Sequence, residues 1–215
     1  MKRILDGMIK TMYEVKPPRM TALRELHEAE TGGPFSILIG TILSARTKDE
    51  NTAKVVKKLF QKYKTPKALS NAKIKDVEKI IRSIGFYHVK AKRIVDVAKI
   101  IQKNYSGKVP DELDKLVALP GVGRKTANCV LVYAFEKPAI PVDIHVHRIS
   151  NRLGLVKTKT PEETEQELIK KIPKKFWLEI NDTFVMYGQN ICKPISPMCK
   201  VCKIKKSCKY YSDNF

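Results

Sequence analysis

Residues 119–127 read LPGVGRKTA and lie between two segments with helical patterns. Gly121 and Gly123 flank one small apolar residue, and glycine permits the tight backbone turn that a short connection between helices needs. We predict a helix over about 110–118 that ends at this turn, and a second helix that begins directly after it. Backbone amides exposed at the turn and at the start of the second helix suit a phosphate of a nucleic acid. A simple connecting turn is the alternative interpretation.

The segments around this turn also show helical periodicity. Apolar residues recur on one face of 51–63 and of 89–101, and 126–135 is almost wholly apolar. The segment 161–172 begins with proline and glutamates and ends with lysines, an order that matches the helix dipole. No segment alternates apolar and polar residues over the length of a strand. The sequence therefore predicts an all-α protein.

Composition indicates a packed protein with a polyanionic partner. The 215 residues are 43% hydrophobic, which is enough for a core and excludes disordered and collagen-like classes. Lys and Arg number 42 against 22 Asp and Glu, a formal charge of +20. Such an excess favours nucleic acid, because each neutralised phosphate releases condensed counterions. A lysine-rich surface that maintains solubility is the alternative.

The sequence also bears on location. The longest apolar stretch, 35–45, is shorter than the roughly 20 residues of a membrane span and predicts a buried helix. The basic start MKRILDGMIK is interrupted by Asp6, Gly7 and Lys10, so it does not form a signal-peptide core. We expect an intracellular, cytoplasmic protein.

Four of the five cysteines predict a metal centre. They have the spacing C-x6-C-x2-C-x5-C and are Cys192, Cys199, Cys202 and Cys208. A disulfide framework is not expected without a secretion signal. Zinc sites usually contain two close Cys pairs, whereas only Cys199 and Cys202 form such a pair. The longer flanking loops favour an iron–sulfur cluster, and zinc remains the alternative.

Three motifs, in order, resemble the endonuclease III-like DNA glycosylases of the helix–hairpin–helix superfamily. LPGVGRKTA is similar to the hairpin signature, VDIHVHRISNRLG (142–154) to the segment with the catalytic aspartate, and the cysteine spacing to the iron–sulfur loop. Segments 42–51 and 84–94 are similar as well, so the resemblance spans nearly the whole chain. It implies a bifunctional glycosylase and abasic-site lyase of base excision repair, which removes oxidised pyrimidines from duplex DNA as a monomer.

The resemblance also implies roles for individual residues. Lys125 would be the nucleophile that forms a Schiff base with the sugar, and Asp143 would stabilise the cationic sugar and assist proton transfer. Asp143 is also predicted to cap a helix. Arg46 and Phe86 would fill the gap left by a flipped nucleotide. The four C-terminal cysteines would hold a [4Fe–4S] cluster, while Cys129 is predicted to be a core residue.

The implied architecture has two helical domains with a cleft between them. A helical barrel over 27–137 would carry the hairpin, and a cluster domain would combine 1–26 with 138–215. Lys125 and Asp143 would face each other across the cleft. One rival is a monofunctional mismatch glycosylase, which a lysine at position 125 argues against. The other is a non-enzymatic iron–sulfur protein that binds DNA or transfers electrons, which Lys125 and Asp143 together disfavour.

Overall fold

The computed structural model describes residues 1–18, 21–28, 33–45, 47 and 49–215. These ranges contain helices, turns and loops but no strand, which confirms the prediction of an all-α protein. Short 3-10 helices occur at Lys174–Phe176, Cys199–Val201 and Lys205–Ser207. The α-helices in chain order are α1 (Lys2–Val15), α2 (Ala22–Glu28), α3 (Gly33–Ser44), α4 (Asp49–Lys62), α5 (Pro66–Ser70), α6 (Ile74–Ile81), α7 (Tyr87–Asn104), α8 (Leu113–Val117), α9 (Arg124–Phe135), α10 (Ile144–Leu153), α11 (Pro161–Lys171), α12 (Trp177–Asn190) and α13 (Lys209–Asn214).

The chain divides into two compact units. Unit 1 combines Met1–Thr21 with Pro138–Phe215, and unit 2 is Ala22–Lys137. The first division therefore lies before α2, whereas the sequence suggested one between residues 26 and 27. The reason is packing: Leu26 is buried, and a Cβ atom at Gly40 of α3 would collide with its Cδ1 atom. The close contact between α2 and α3 makes α2 part of the core of unit 2.

Two nearly continuous buried helices form the centre of unit 2. Every residue of α3 from Phe35 to Leu43 is buried, as the apolar pattern predicts, and α3 packs on α9. Residues 127–133 of α9 are buried too, including Cys129, which is fully buried as predicted. No described helix combines the length and apolar character that crossing a membrane requires.

Unit 1 takes its core from both of its segments. Helix α1 contributes residues that pack against α12, and the second segment supplies the remainder. Because α10 and α12 also pack on each other, the start of α10 and the cysteine-rich segment rest on one hydrophobic cluster. That cluster includes Leu5, Met8, Met12, Ile140, Val146, Ile149, Ile180, Phe184, Tyr187 and Ile204.

Candidate functional site

The predicted turn between helices is present, but the helix before it is shorter than expected. Helix α8 begins at Leu113 because Glu112 has an extended backbone (φ −119°, ψ 138°), so the predicted start near residue 110 was wrong. After α8, the amide of Leu119 donates to the carbonyl of Leu116 and the amide of Val122 to that of Leu119, both at 3.1 Å. Leu119 and Val122 are buried and hold the turn against unit 2.

The two glycines of the turn meet different requirements. Gly121 has φ +73°, and a Cβ atom there would collide with the side chain of Arg93. Gly123 has φ −83° and ψ 173°, which any residue adopts, and a Cβ atom there would meet nothing within 4 Å. The folded chain therefore requires glycine at 121 but has open space at 123. Gly123 also brings no side-chain acceptor to the first amides of α9, which lack partners within the helix.

Lys125 is the second residue of α9 and is half-buried. The exposed Arg124 precedes it, and Gly123 is the N-cap of the helix. The amine is therefore attached to the positive end of a twelve-residue helix, directly after the turn.

Asp143 is the N-cap of α10, which confirms its predicted structural role. Its Oδ1 atom accepts hydrogen bonds from the amides of His145 (2.8 Å) and Val146 (2.9 Å). The residue is half-buried, and its backbone is extended. Because both bonds use Oδ1, the carboxylate is held in one orientation while Oδ2 remains available to other groups.

Phe86 lies at the surface of unit 2. The residue is 63% exposed, so it is not part of the hydrophobic core. The residue is the N-cap of α7 and has φ 59° and ψ 35°, a left-handed conformation that costs a non-glycine residue on the order of 1–3 kcal/mol. A strained backbone thus presents a large apolar ring to solvent. Arg46, the other predicted gap-filling residue, lies outside the described residues.

A buried lysine near Phe86 was not predicted. Lys90 is 4% exposed, and its Nζ atom donates to the carbonyls of Leu43 (2.8 Å) and Ala45 (2.6 Å) and to Thr47 Oγ1 (3.2 Å). It therefore caps the C-terminal end of α3. Burial, and secondly Arg93, lower its pKa. Helical spacing was an available signal, because Lys90 precedes Ile94 by four residues and so falls on the apolar face of α7.

The four clustered cysteines come together in unit 1. In the described part of the chain, no group of three or more His, Cys, Asp or Glu side chains forms a site for a single metal ion. Tyr187 Oη donates to Cys202 Sγ at 2.9 Å, and Arg152 Nη1 to Cys192 Sγ at 3.5 Å. Burial and then the bond to Cys202 raise the pKa of Tyr187, so the phenol stays a donor. One pocket is lined by Cys192, Cys199, Cys202 and Cys208 together with Arg152 and Tyr187.

Two arginines of α10 hold the segment that begins at the first of these cysteines. Arg148 donates to the carbonyl of Cys192 at 2.9 Å. Arg152 donates to the carbonyls of Lys193 (2.7 Å) and Pro194 (2.8 Å). Sequence reasoning missed both contacts, although the spacing of four residues places the two side chains on one helix face.

Burial also affects the thiols themselves. It raises the pKa of Cys199 and of Cys208, and at Cys199 the charges of the other three cysteines add to this effect. Metal binding requires deprotonated thiols, so a bound cation would have to reverse this tendency.

Comparison with known proteins gives the family. Residues 39–174 match the HhH-GPD superfamily of base excision DNA repair proteins. Endonuclease III of Thermotoga maritima is 54% identical over 178 residues, which cover 83% of this chain and 84% of that protein. Endonuclease III of Bacillus subtilis is 42% identical over 177 residues, 82% of this chain and 81% of that protein.

Solved structures agree. A trapped endonuclease III–DNA covalent intermediate matches with a TM-score of 0.82 at 36% identity, covering 99% of this chain and 95% of that one. A thermostable thymine-DNA glycosylase matches with a TM-score of 0.83 at 26% identity, covering 99% and 96%. The chain therefore belongs to the HhH-GPD superfamily of base excision DNA repair proteins. Within it, the chain is an endonuclease III-like enzyme of the DNA glycosylase/lyase class, as the sequence predicted.

Proposed function

We propose that this enzyme acts on duplex DNA as a bifunctional glycosylase and abasic-site lyase, working as a monomer inside the cell. It removes oxidised pyrimidines and then cleaves the strand 3′ to the abasic site. The observation that carries this proposal is the position of Lys125 in the first turn of α9, two residues after the Gly123 cap. The similarity to a trapped endonuclease III–DNA covalent intermediate supports a covalent route.

Lys125 is the proposed nucleophile. Its neutral amine attacks C1′ of the damaged nucleotide, the bond from C1′ to the base breaks, and the base leaves with the electron pair and takes up a proton. The nitrogen then loses a proton, and its lone pair breaks the C1′–O4′ bond while O4′ takes up a proton, which opens the sugar and forms the imine. Loss of a proton from C2′ to a base then expels the 3′ phosphate, with cleavage of its bond to C3′. The positive end of α9 and the neighbouring Arg124 disfavour a further positive charge, and so favour the neutral amine that attack requires.

Asp143 is the proposed electrostatic partner of Lys125 in this reaction. A carboxylate stabilises the positive charge that develops on the sugar, and it can hold the proton that the lysine amine releases. Its two hydrogen bonds at Oδ1 keep it in place before the substrate arrives. Such preorganisation spares the reaction the cost of orienting a charge.

Other residues would open and grip the duplex. We assign backbone phosphate binding to the turn with Gly121 and Gly123, where the open space at Gly123 permits close approach. Phe86 would enter the base stack, since its ring is already exposed, and Arg46 would bond the orphaned base.

The proposed cofactor is a [4Fe–4S] cluster held by Cys192, Cys199, Cys202 and Cys208. The donor set fits: four thiols line one pocket, and Tyr187 and Arg152 direct hydrogen bonds at two of the sulfur atoms. A single zinc ion draws all four sulfurs to about 2.3 Å from one point, whereas a cubane keeps them apart. When bound, the cluster would hold the cysteine segment folded.

Metal analysis tests this assignment. Protein purified anaerobically should be yellow-brown and contain about four irons per chain, the stoichiometry of a four-cysteine cubane. Cys199→Ser should lose the iron and the colour, because a serine hydroxyl is a poor ligand for this cluster. Cys129→Ala is the matched control and should retain both, since Cys129 is buried in α9. Stoichiometric zinc without iron in the wild-type protein would contradict the assignment.

A substrate panel tests the reaction itself. Duplexes with thymine glycol, hydroxyuracil, a uracil or thymine mismatch, or an abasic site are scored separately for base release and for strand cleavage. The proposal expects both events with the oxidised pyrimidines and cleavage at the abasic site. Release of mismatched bases without cleavage would instead favour the monofunctional mismatch glycosylase. The chain is also similar in structure to a thymine-DNA glycosylase, so mismatched duplexes belong in the panel. No reaction on any duplex would favour the non-enzymatic rival.

A further inference from the structure

An arginine outside the hairpin motif lies against its backbone. Arg93 is a half-buried residue of α7. Its Cδ, Nε and Cζ atoms are the three heavy atoms that a Cβ atom at Gly121 would meet first. Aliphatic and guanidinium atoms are both in this set, so the charged group itself rests on the turn. The absence of a side chain at Gly121 therefore makes room for a guanidinium from a neighbouring helix.

This guanidinium has no acceptor in the part of the chain that the structure describes. No hydrogen bond or ion pair of Arg93 is present there. Asp96, one turn further along α7, is bound by Lys92 at 2.6 Å and approached by Lys99 at 4.0 Å. Among the described residues, the buried side-chain nitrogen and oxygen atoms without a partner belong to Arg148 and Ser150, so the donors of Arg93 reach solvent. A guanidinium with five such donors is available to an acceptor that binds from outside.

The charges around the turn indicate which charge a partner of Arg93 would carry. Arg124 follows Gly123 directly and is exposed, and Lys125 comes next. The amino terminus of α9 adds the positive end of a helix dipole at the same turn. The side chains and the helix dipole thus give the turn a positive electrostatic environment, which favours an anionic ligand.

We propose that Arg93 is a phosphate ligand that completes the DNA-binding site of the hairpin. The ligand is a phosphodiester of the DNA backbone: its two non-bridging oxygens match the fork of a guanidinium, while the turn supplies amides. This inference rests on the proposed function. It adds a side-chain contact from α7 to a site that the hairpin motif alone assigns to backbone amides.

Salt-dependent binding tests the contact. Affinity for a duplex containing a reduced abasic-site analogue is measured over a range of salt concentrations for the wild-type protein, Arg93→Gln and Lys92→Gln. Arg93→Gln should weaken binding about tenfold at low salt and flatten the dependence of log K on log salt by about 0.9, the value for one phosphate contact. Undamaged duplex should show the same change, because backbone contacts carry no sequence information.

Lys92→Gln is the matched control on the same helix. It removes the same charge from a side chain that pairs with Asp96, so the salt slope should remain that of the wild-type protein. Arg93→Lys keeps the charge without the fork and should recover the slope but only part of the affinity. An unchanged slope in Arg93→Gln, with a lowered Tm, would show that Arg93 only supports the turn and would overturn the proposal.

A double-mutant cycle locates the phosphate. Gly123→Ala should fold normally because its Cβ atom enters open space, yet it should hinder the approach of a phosphate. If Arg93 and the turn bind the same phosphate, the double variant should lose clearly less affinity than the sum of the two single losses. If the two losses in binding free energy add up, Arg93 binds a group other than the phosphate held by the turn. Failure of the proposed function would look different: the wild-type chain would neither release bases nor nick DNA, whatever the salt slope.

Discussion

Lys125→Gln is expected to bind damaged duplex DNA and to lose both covalent trapping and strand cleavage. Borohydride reduces an imine between lysine and sugar to a stable bond, so the wild-type protein should give a slowly migrating protein–DNA band on a denaturing gel. Removing the nucleophile from a covalent enzyme lowers kcat by on the order of 10⁶-fold in a well-studied protease. The variant should therefore fall below detection in both assays.

The same lysine-to-glutamine change elsewhere in unit 2 serves as the control. Lys92→Gln loses one positive charge and one amine but keeps the first turn of α9, so it should trap and cleave like the wild-type protein. A wild-type protein that releases bases but is never trapped would exclude Lys125 as the nucleophile. Continued trapping by Lys125→Gln would assign the imine to another amine.

Asp143→Asn should still form the borohydride-trapped protein–DNA complex, because Lys125 is present, but it should turn over far more slowly. Loss of a preorganised charge at a developing ion costs roughly 3–4 kcal/mol, or about 10²–10³-fold in kcat. Asparagine caps helices as well as aspartate does, so the Tm should change little. Asp143→Ala should be equally slow and also lose the cap, worth about 1 kcal/mol, which lowers the Tm by roughly 2–4 °C in a chain of this size.

A second N-cap separates the two effects of this substitution. Thr160 caps α11 by accepting a hydrogen bond from the amide of Glu163 at 3.1 Å. Thr160→Ala should lower the Tm by a similar amount to the cap loss at Asp143 and leave kcat unchanged. Full activity in Asp143→Asn would reduce Asp143 to a cap. A kcat that falls in Thr160→Ala as well would attribute the loss to stability.

Features that depend on residues close together in the sequence could be predicted: buried helices, one helix cap and the cysteine cluster. The apolar residues of α3 and α9 identified buried helices, since a helix without a polar face has no side to present to water. Asp143 was predicted as a cap because a proline-containing segment and a helical pattern meet at that residue. The four cysteines were predicted to act together because they are close in sequence, and their common pocket needs only short loops.

Contacts between distant segments escaped prediction. Nothing near Arg93 in the sequence points to Gly121, because the contact depends on how α7 packs beside the hairpin. The start of α8 was placed too early because periodicity does not report the extended backbone at Glu112. The boundary expected between residues 26 and 27 falls inside α2, and the contact of Leu26 with Gly40 that joins α2 to unit 2 involves residues far apart in the sequence.

The interleaved construction of the two units has a consequence for biosynthesis. Unit 2 is one continuous segment, so all of its helices are synthesised before the second segment of unit 1. Helix α1 is synthesised before unit 2 but buries Leu5, Met8 and Met12 among residues that come after position 137. The apolar face of α1 therefore has no packing partner from unit 1 until the residues after position 137 have been synthesised. The four cysteines are translated after the whole of unit 2, so loading of a cluster would follow the synthesis of that unit.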